Sequence, residues 1–235
     1  MTSPSSPQGS SQAQQAALAT LAAREAAVLA TRVDTANLTA QRDAFTAAWY
    51  RILQRYGAAS GTTAARFYTR QRTAAVGAGK FTVRPAGPAP LEQVNATTDW
   101  ALNPLYSADP DRHAFVDRVM GASEKMVQDV GRDTITNAVQ EDRKARGWAR
   151  IPEQNCCAFC ALLATRGAVY KEDTVAFQSH DRCRCHPEPV FYAYEPSAQI
   201  RAWQQLYQQE TTQGNSARTR REWRAAFDKY QADQN

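Results

Sequence analysis

Apolar side chains recur at helical spacing over most of this chain and give way to short alternating runs only near Gly147. From Ser11, residues Leu18, Leu21, Val28, Leu29 and Val33 return every three or four positions among alanines, the strongest helix formers. Phe45, Trp49, Ile52, Leu53 and Tyr56 continue the pattern with larger side chains. The spacing predicts a helix from Ser11 to about Tyr56, with Gly57 and Gly61 as stop and turn. Two arrangements suit so long a segment. Its small-residue first half projects toward a partner, or the helix breaks near Asp34 to Asn37 and folds back as a hairpin.

A second helix is expected from about Thr62 to Ala75, with Phe67 and Tyr68 inward. Gly77, Gly79, Pro85, Gly87, Pro88 and Pro90 then mark an irregular linker, within which Phe81 to Val83 reads as a short strand. Leu91 to Leu102 reads as a short helix, and Asp111 to about Arg146 as a helical pair. From Trp148 the segments shorten. Cys160 to Thr165 reads as a turn or two of helix ended by Gly167. Ala168 to Tyr170 and Pro189 to Tyr194 read as strands, with Arg182 to His186 able to pair with them. Two tail helices follow, Ala198 to Gln209 and Ala217 to Tyr230. Their apolar stripes, Trp203, Leu206 and Tyr207, then Trp223, Phe227 and Tyr230, are narrow enough to need a partner.

The expected fold is mainly α with a small α+β C-terminal unit: long N-terminal helices, a Cys/His knot beside a short antiparallel sheet, and a helical tail. The expected divisions are a disordered start at 1–11, a helical domain at 12–146, a Cys/His unit at 147–196 and the tail at 197–235. The start lacks a large apolar side chain to offset ordering entropy.

Charge changes this picture little. The net charge of +5 over 235 residues is a mild basic excess that favours acidic surfaces without marking a dedicated nucleic-acid binder. Arg218, Arg220, Arg221 and Arg224 read as a solvated helix face or a contact for DNA or an acidic partner. No run of apolar residues is long enough for a membrane-spanning segment. The start also lacks the layout of a secretory signal, so synthesis and retention in a reducing cytosol are expected.

The cysteines carry the chemistry. Cys157-x-x-Cys160 is followed by His180-x-x-Cys183-x-Cys185. Two thiols one helical turn apart can face one ion, and residues two apart in an extended segment share a side, so either Cys183 or Cys185 can complete a site. The expected tetrad is Cys157, Cys160, His180 and one of Cys183 or Cys185, holding a structural Zn²⁺ with Cys156 left over. A disulfide pair, redox use or inert thiols are the competing readings. As nucleophile candidates, Ser179-His180-Asp181 are sequence neighbours that cannot aim at one another, and Ser123 with His113 lacks a nucleophile elbow.

The runs Trp148-Ala-Arg-Ile151, Cys157-Ala-Phe-Cys160, Leu163 to Tyr170, His180 to Cys185 and Pro189-Val-Phe191 resemble the MuF-like proteins of tailed bacteriophages, in the version found in phages of actinobacteria. The likeness is sharpest over 148–191 and looser upstream, through Phe67-Tyr68, Trp100 and Gly131 to Ile135. It implies a minor capsid, head-morphogenesis protein acting beside the portal in procapsid assembly, made in the host cytoplasm and carried in the virion inside the capsid. The implied partners are portal and major capsid or scaffold proteins, with contact to packaged DNA. The family's Cys/His hallmark maps onto Cys157, Cys160, His180, Cys183 and Cys185, for which a structural zinc is supposed. Such proteins are often labelled capsid maturation proteases, and processing of head or scaffold protein is the alternative activity.

Overall fold

The computed structural model describes residues 7–153, 155–169 and 177–234. The chain is mainly helical with a small C-terminal α+β part. It forms two compact units, residues 1–138 with 177–183 and residues 139–176 with 184–235. Helix α1 spans Pro7–Ala30, so the stretch expected to be disordered is helical from Pro7, and residues 1–6 lie outside the described residues.

The first unit is built on α1, α2 (Leu38–Val76), α3 (Leu91–Leu102) and α4 (from Arg112). The chain breaks between α1 and α2 where the hairpin reading placed the break. Asp34 caps a 3-10 turn at Thr35–Asn37 by accepting from the Ala36 N–H at 3.0 Å. The buried face of α1 holds only part of the expected stripe: Leu18 and Leu29 pack against the core and Val33, just past the helix, is buried, but most of the face is alanine. Ala19, Ala22, Ala23, Ala26 and Ala30 are buried, whereas Leu21 and Val28 stand 48% and 54% exposed. Methyl side chains allow the α1 backbone to approach α2 closely. Phe45, Trp49, Ile52 and Leu53 supply the bulk of the core, with Val94, Leu102, Phe115 and Val119 from α3 and α4.

Gly57 and Gly61 do not stop the helix; α2 runs straight through them for 39 residues. Both are close-approach positions. A β-carbon at Gly61 would stand 3.2 Å from Pro85 Cβ and from Val130 Cγ1, and one at Gly57 would stand 3.1 Å from Pro88 Cβ. With Ser60 and Ala64, also buried, they form a small-residue face under the proline-rich linker. That linker is irregular throughout, so the strand expected at Phe81 to Val83 is absent. Its Ala86 N–H donates instead to Thr134 Oγ1 at 2.9 Å. Gly61→Leu is expected to lower stability by about 1–3 kcal/mol through overpacking, readable as a reduced urea midpoint at constant m-value.

The expected helical pair after Asp111 is one helix, α4 (Arg112–Glu141). Asp111 accepts from the Ala114 N–H at 2.8 Å at its start. Gly121 and Gly131 each cost the helix about 1 kcal/mol but do not break it.

The second unit centres on a three-stranded antiparallel sheet of order β2-β1-β3, with β1 at Gly147–Ile151, β2 at Ala168–Val169 and β3 at His186–Val190. The third strand begins and ends earlier than the Pro189 to Tyr194 run suggested. Tyr170 lies outside the described residues. Pro187 and Pro189 are tolerated because β3 is an edge strand. Helices α5 (Ala158–Ala164), α6 (Ala198–Glu210) and α7 (Ala217–Ala232) complete the unit. The tail stripes find their partners within the chain. Trp203 meets Phe227 edge-on at 5.5 Å, Trp223 stacks beside Phe227 at 5.4 Å, and Tyr207 meets Trp223 at 6.0 Å. Ser197 and Ser216 cap α6 and α7 by accepting from Ile200 N–H and Thr219 N–H.

Candidate metal centre

Cys157 is the N-cap residue of α5, with extended backbone and no capping bond from its side chain, so its sulfur is not committed to the helix end. Cys160 lies one turn on, 1% exposed. The helix carrying them is fixed at its first turn. The Trp223 indole N–H donates to the Ala158 carbonyl at 2.6 Å, and Gln231 donates to the Cys156 carbonyl at 3.2 Å. Arg150, buried on β1, brings a guanidinium N–H to 3.7 Å from Cys160 Sγ. Cys185 immediately precedes β3, whose pairing of His186 with Ile151 sets its position on the sheet.

His180 and Cys183 are the two ends of one tight turn. The Cys183 N–H donates to the His180 carbonyl at 3.2 Å, and Arg182 takes the left-handed conformation at φ +61°. A non-glycine residue there is strained and needs support from its surroundings. The support comes from α4. Arg132, 2% exposed, donates to Asp129 at 2.7 Å, to Gln128 at 3.3 Å and to the Cys183 carbonyl, and its guanidinium lies 5.2 Å from the Phe177 ring centre. Ser179 donates to the same Asp129 carboxylate at 2.8 Å, and Arg182 pairs with Asp117. Gly121 leaves room for Asp181, whose Cβ would stand 3.3 Å from a β-carbon there. Asp133, beside Arg132, is pushed up to about 6 by desolvation and by the Asp129 carboxylate.

Two sets of ligand atoms result. The donor atoms of Cys157, Cys160 and His180 lie within 4.8 Å of one another, and so do those of Cys160, Cys183 and Cys185. Cys160 belongs to both. Tetrahedral zinc with Zn–S bonds near 2.3 Å places its sulfurs about 3.8 Å apart, inside the 4.8 Å that bounds each set. Thiolates and an imidazole are also the donors such an ion prefers. This Cys/His cluster can hold a metal ion. His180 Nδ1 lies 2.7 Å from the Asp181 carbonyl; with its proton there, Nε2 keeps its lone pair for a metal. Cys156 is buried and lies outside both sets, and among the described residues no disulfide joins any cysteine.

The remaining sequence candidates are not brought together as catalytic groups. His113 and Ser123 are ten residues apart on one helix, about 15 Å along its axis. Ser123 is fully buried, donating to the Val119 carbonyl and accepting from the Trp49 indole N–H at 2.8 Å. Ser179 donates to a carboxylate rather than to an imidazole. Arg218 pairs with Glu222 at 2.6 Å and Arg220 donates to the Asn215 carbonyl at 2.9 Å, both on an exposed face. Two arginines beside the candidate ligands escape sequence reasoning. Arg132 reads as a local helix cap or ion pair and does pair locally with Asp129, but it also reaches the ligand turn. Arg150 gives no signal beyond an arginine inside an otherwise uncharged strand.

The VG15 protein family model matches residues 2–210, close to nine-tenths of the chain, and points to a phage protein family. No curated protein and no solved structure matches.

Proposed function

The chain belongs to the VG15 protein family, and from that premise we propose that it is a minor capsid, head-morphogenesis protein of a tailed bacteriophage, carrying one structural zinc ion. The observation that carries the reading is the convergence of Cys157, Cys160, His180, Cys183 and Cys185 in two overlapping ligand sets. The MuF-like resemblance over residues 148–191 covers the same positions. Each set supplies three ligands, and a fourth donor from the other set closes a tetrahedral zinc with no place for a substrate water, so the ion serves folding rather than hydrolysis. The protein acts beside the portal during procapsid assembly and stays inside the head, with portal and major capsid or scaffold proteins as its partners. Its mild basic excess suits the neighbourhood of packaged DNA. Among the described residues, no helix is long and apolar enough to cross a membrane.

The test has two arms. Elemental analysis of the full chain, purified without chelator, is expected to give about one zinc per chain. Tagged protein from infected cells is expected to bring down portal protein or procapsids. A metal-free chain with disulfide-bonded cysteines overturns the zinc assignment. Absence from both portal complexes and heads overturns the assembly role.

A further inference from the structure

We infer that Arg132 is a positioning residue for the metal site, clamping the His180–Cys183 turn to α4 so that this half of the ligand set is formed before the ion arrives. The inference rests on the zinc reading above and adds the residue that prepares the site.

A buried guanidinium is costly unless its geometry is well satisfied. Arg132 is 2% exposed, and its planar fork spans two kinds of partner at once. One is its own helix, through Asp129 at 2.7 Å and Gln128 at 3.3 Å. The other is the ligand turn, through the backbone carbonyl of Cys183 and the ring of Phe177. Asp129 serves as a shared anchor, since Ser179, the residue before His180, donates to the same carboxylate oxygen. The turn is thus held on both sides of His180 and Cys183. It also carries a left-handed Arg182, a conformation that an untethered segment of ordinary residues would relax. A turn ordered in advance spares metal binding the entropy of ordering it. The exposed Arg182–Asp117 pair adds little to this, because solvent screens it.

The decisive variant is Arg132→Lys, which keeps the buried charge and the reach to Asp129 but lacks a fork for the Cys183 carbonyl at the same time. Zinc affinity is measured on the full chain by competition with a chromophoric chelator. The ligand field is followed by the absorption of the Co²⁺ form, and amide exchange of residues 177–183 is followed in zinc-free protein. Arg132→Lys and Arg132→Met are expected to weaken zinc about 10- to 100-fold, the usual cost of losing a supporting partner. The Co²⁺ spectrum should keep its thiolate bands, and exchange in the turn should rise while that of α5 stays unchanged. Gly61→Leu, destabilised elsewhere in the same unit, should retain wild-type affinity. If Arg132→Lys binds zinc as tightly as wild type, or Gly61→Leu loses as much, Arg132 does not position the site. A wild-type chain that takes up no zinc overturns the zinc reading itself.

Discussion

Cys160→Ser is expected to abolish tight zinc binding and to unfold much of the C-terminal α+β unit at ambient temperature. Cys160 alone belongs to both ligand sets, so its loss leaves neither complete. Its sulfur is also buried against Arg150, where a serine hydroxyl is a poor metal ligand and too short to fill the space. Binding of a structural zinc contributes about 10–16 kcal/mol in small zinc domains, comparable to the whole stability of an ordinary domain. The loss should therefore exceed the roughly 10- to 100-fold expected when a supporting residue is removed. Elemental analysis and far-ultraviolet circular dichroism, with and without chelator, read the outcome. Cys156→Ser is the matched control and should keep its zinc. Of Cys183→Ser and Cys185→Ser, one should behave like Cys160→Ser and the other like the control. Full zinc retention by Cys160→Ser would dismantle the assignment.

Trp223→Ala is expected to be the most damaging change outside the ligands, at about 3–5 kcal/mol. Trp223 is 1% exposed and touches both Tyr207 and Phe227, so truncation opens a cavity between α6 and α7. It also removes the indole N–H that ties the Ala158 carbonyl at the first turn of α5, one residue after Cys157. The melting midpoint of this unit should fall by on the order of 10 °C or more, and zinc should be released more readily from the heated variant than from wild type. Trp223→Phe, which keeps the ring but not the indole N–H, should lose roughly 1–2 kcal/mol. A melting curve for Trp223→Ala that overlays wild type would mean that the tail helices are not packed on α5.

Much of the element order was legible because it rests on local rules. The tail helices were readable from aromatic stripes at helical spacing. The start of α3 followed from Pro90 at the end of the Gly/Pro linker. At Gly57 and Gly61 glycine reads as punctuation, whereas its tertiary surroundings require it inside a helix. Gly57 and Gly61 lie where Pro85, Pro88 and Val130 press against α2, and Gly121 lies where Asp181 passes α4. Likewise the stripe on α1 did not announce the alanines buried beside Leu18, Leu29 and Val33, because periodicity weighs side chains by hydrophobicity alone. Strand β1 has only one β-branched residue and went unread; its place in the middle of the sheet depends on partners some twenty and forty residues away.

The metal ligands are an instance of the same division. The spacing of Cys157, Cys160, His180, Cys183 and Cys185 by itself determines that two short segments can each offer donors on one side, since helical and turn geometry need only near neighbours. Whether those donors share a space depends on contacts between residues far apart in sequence. The Trp223 indole holds α5, Arg150 lies against Cys160, and Arg132 carries the His180–Cys183 turn on a helix some fifty residues upstream. A buried arginine has no periodicity to announce it. Its position is worth the desolvation only once the partners around it have been assembled, and only the folded chain assembles them.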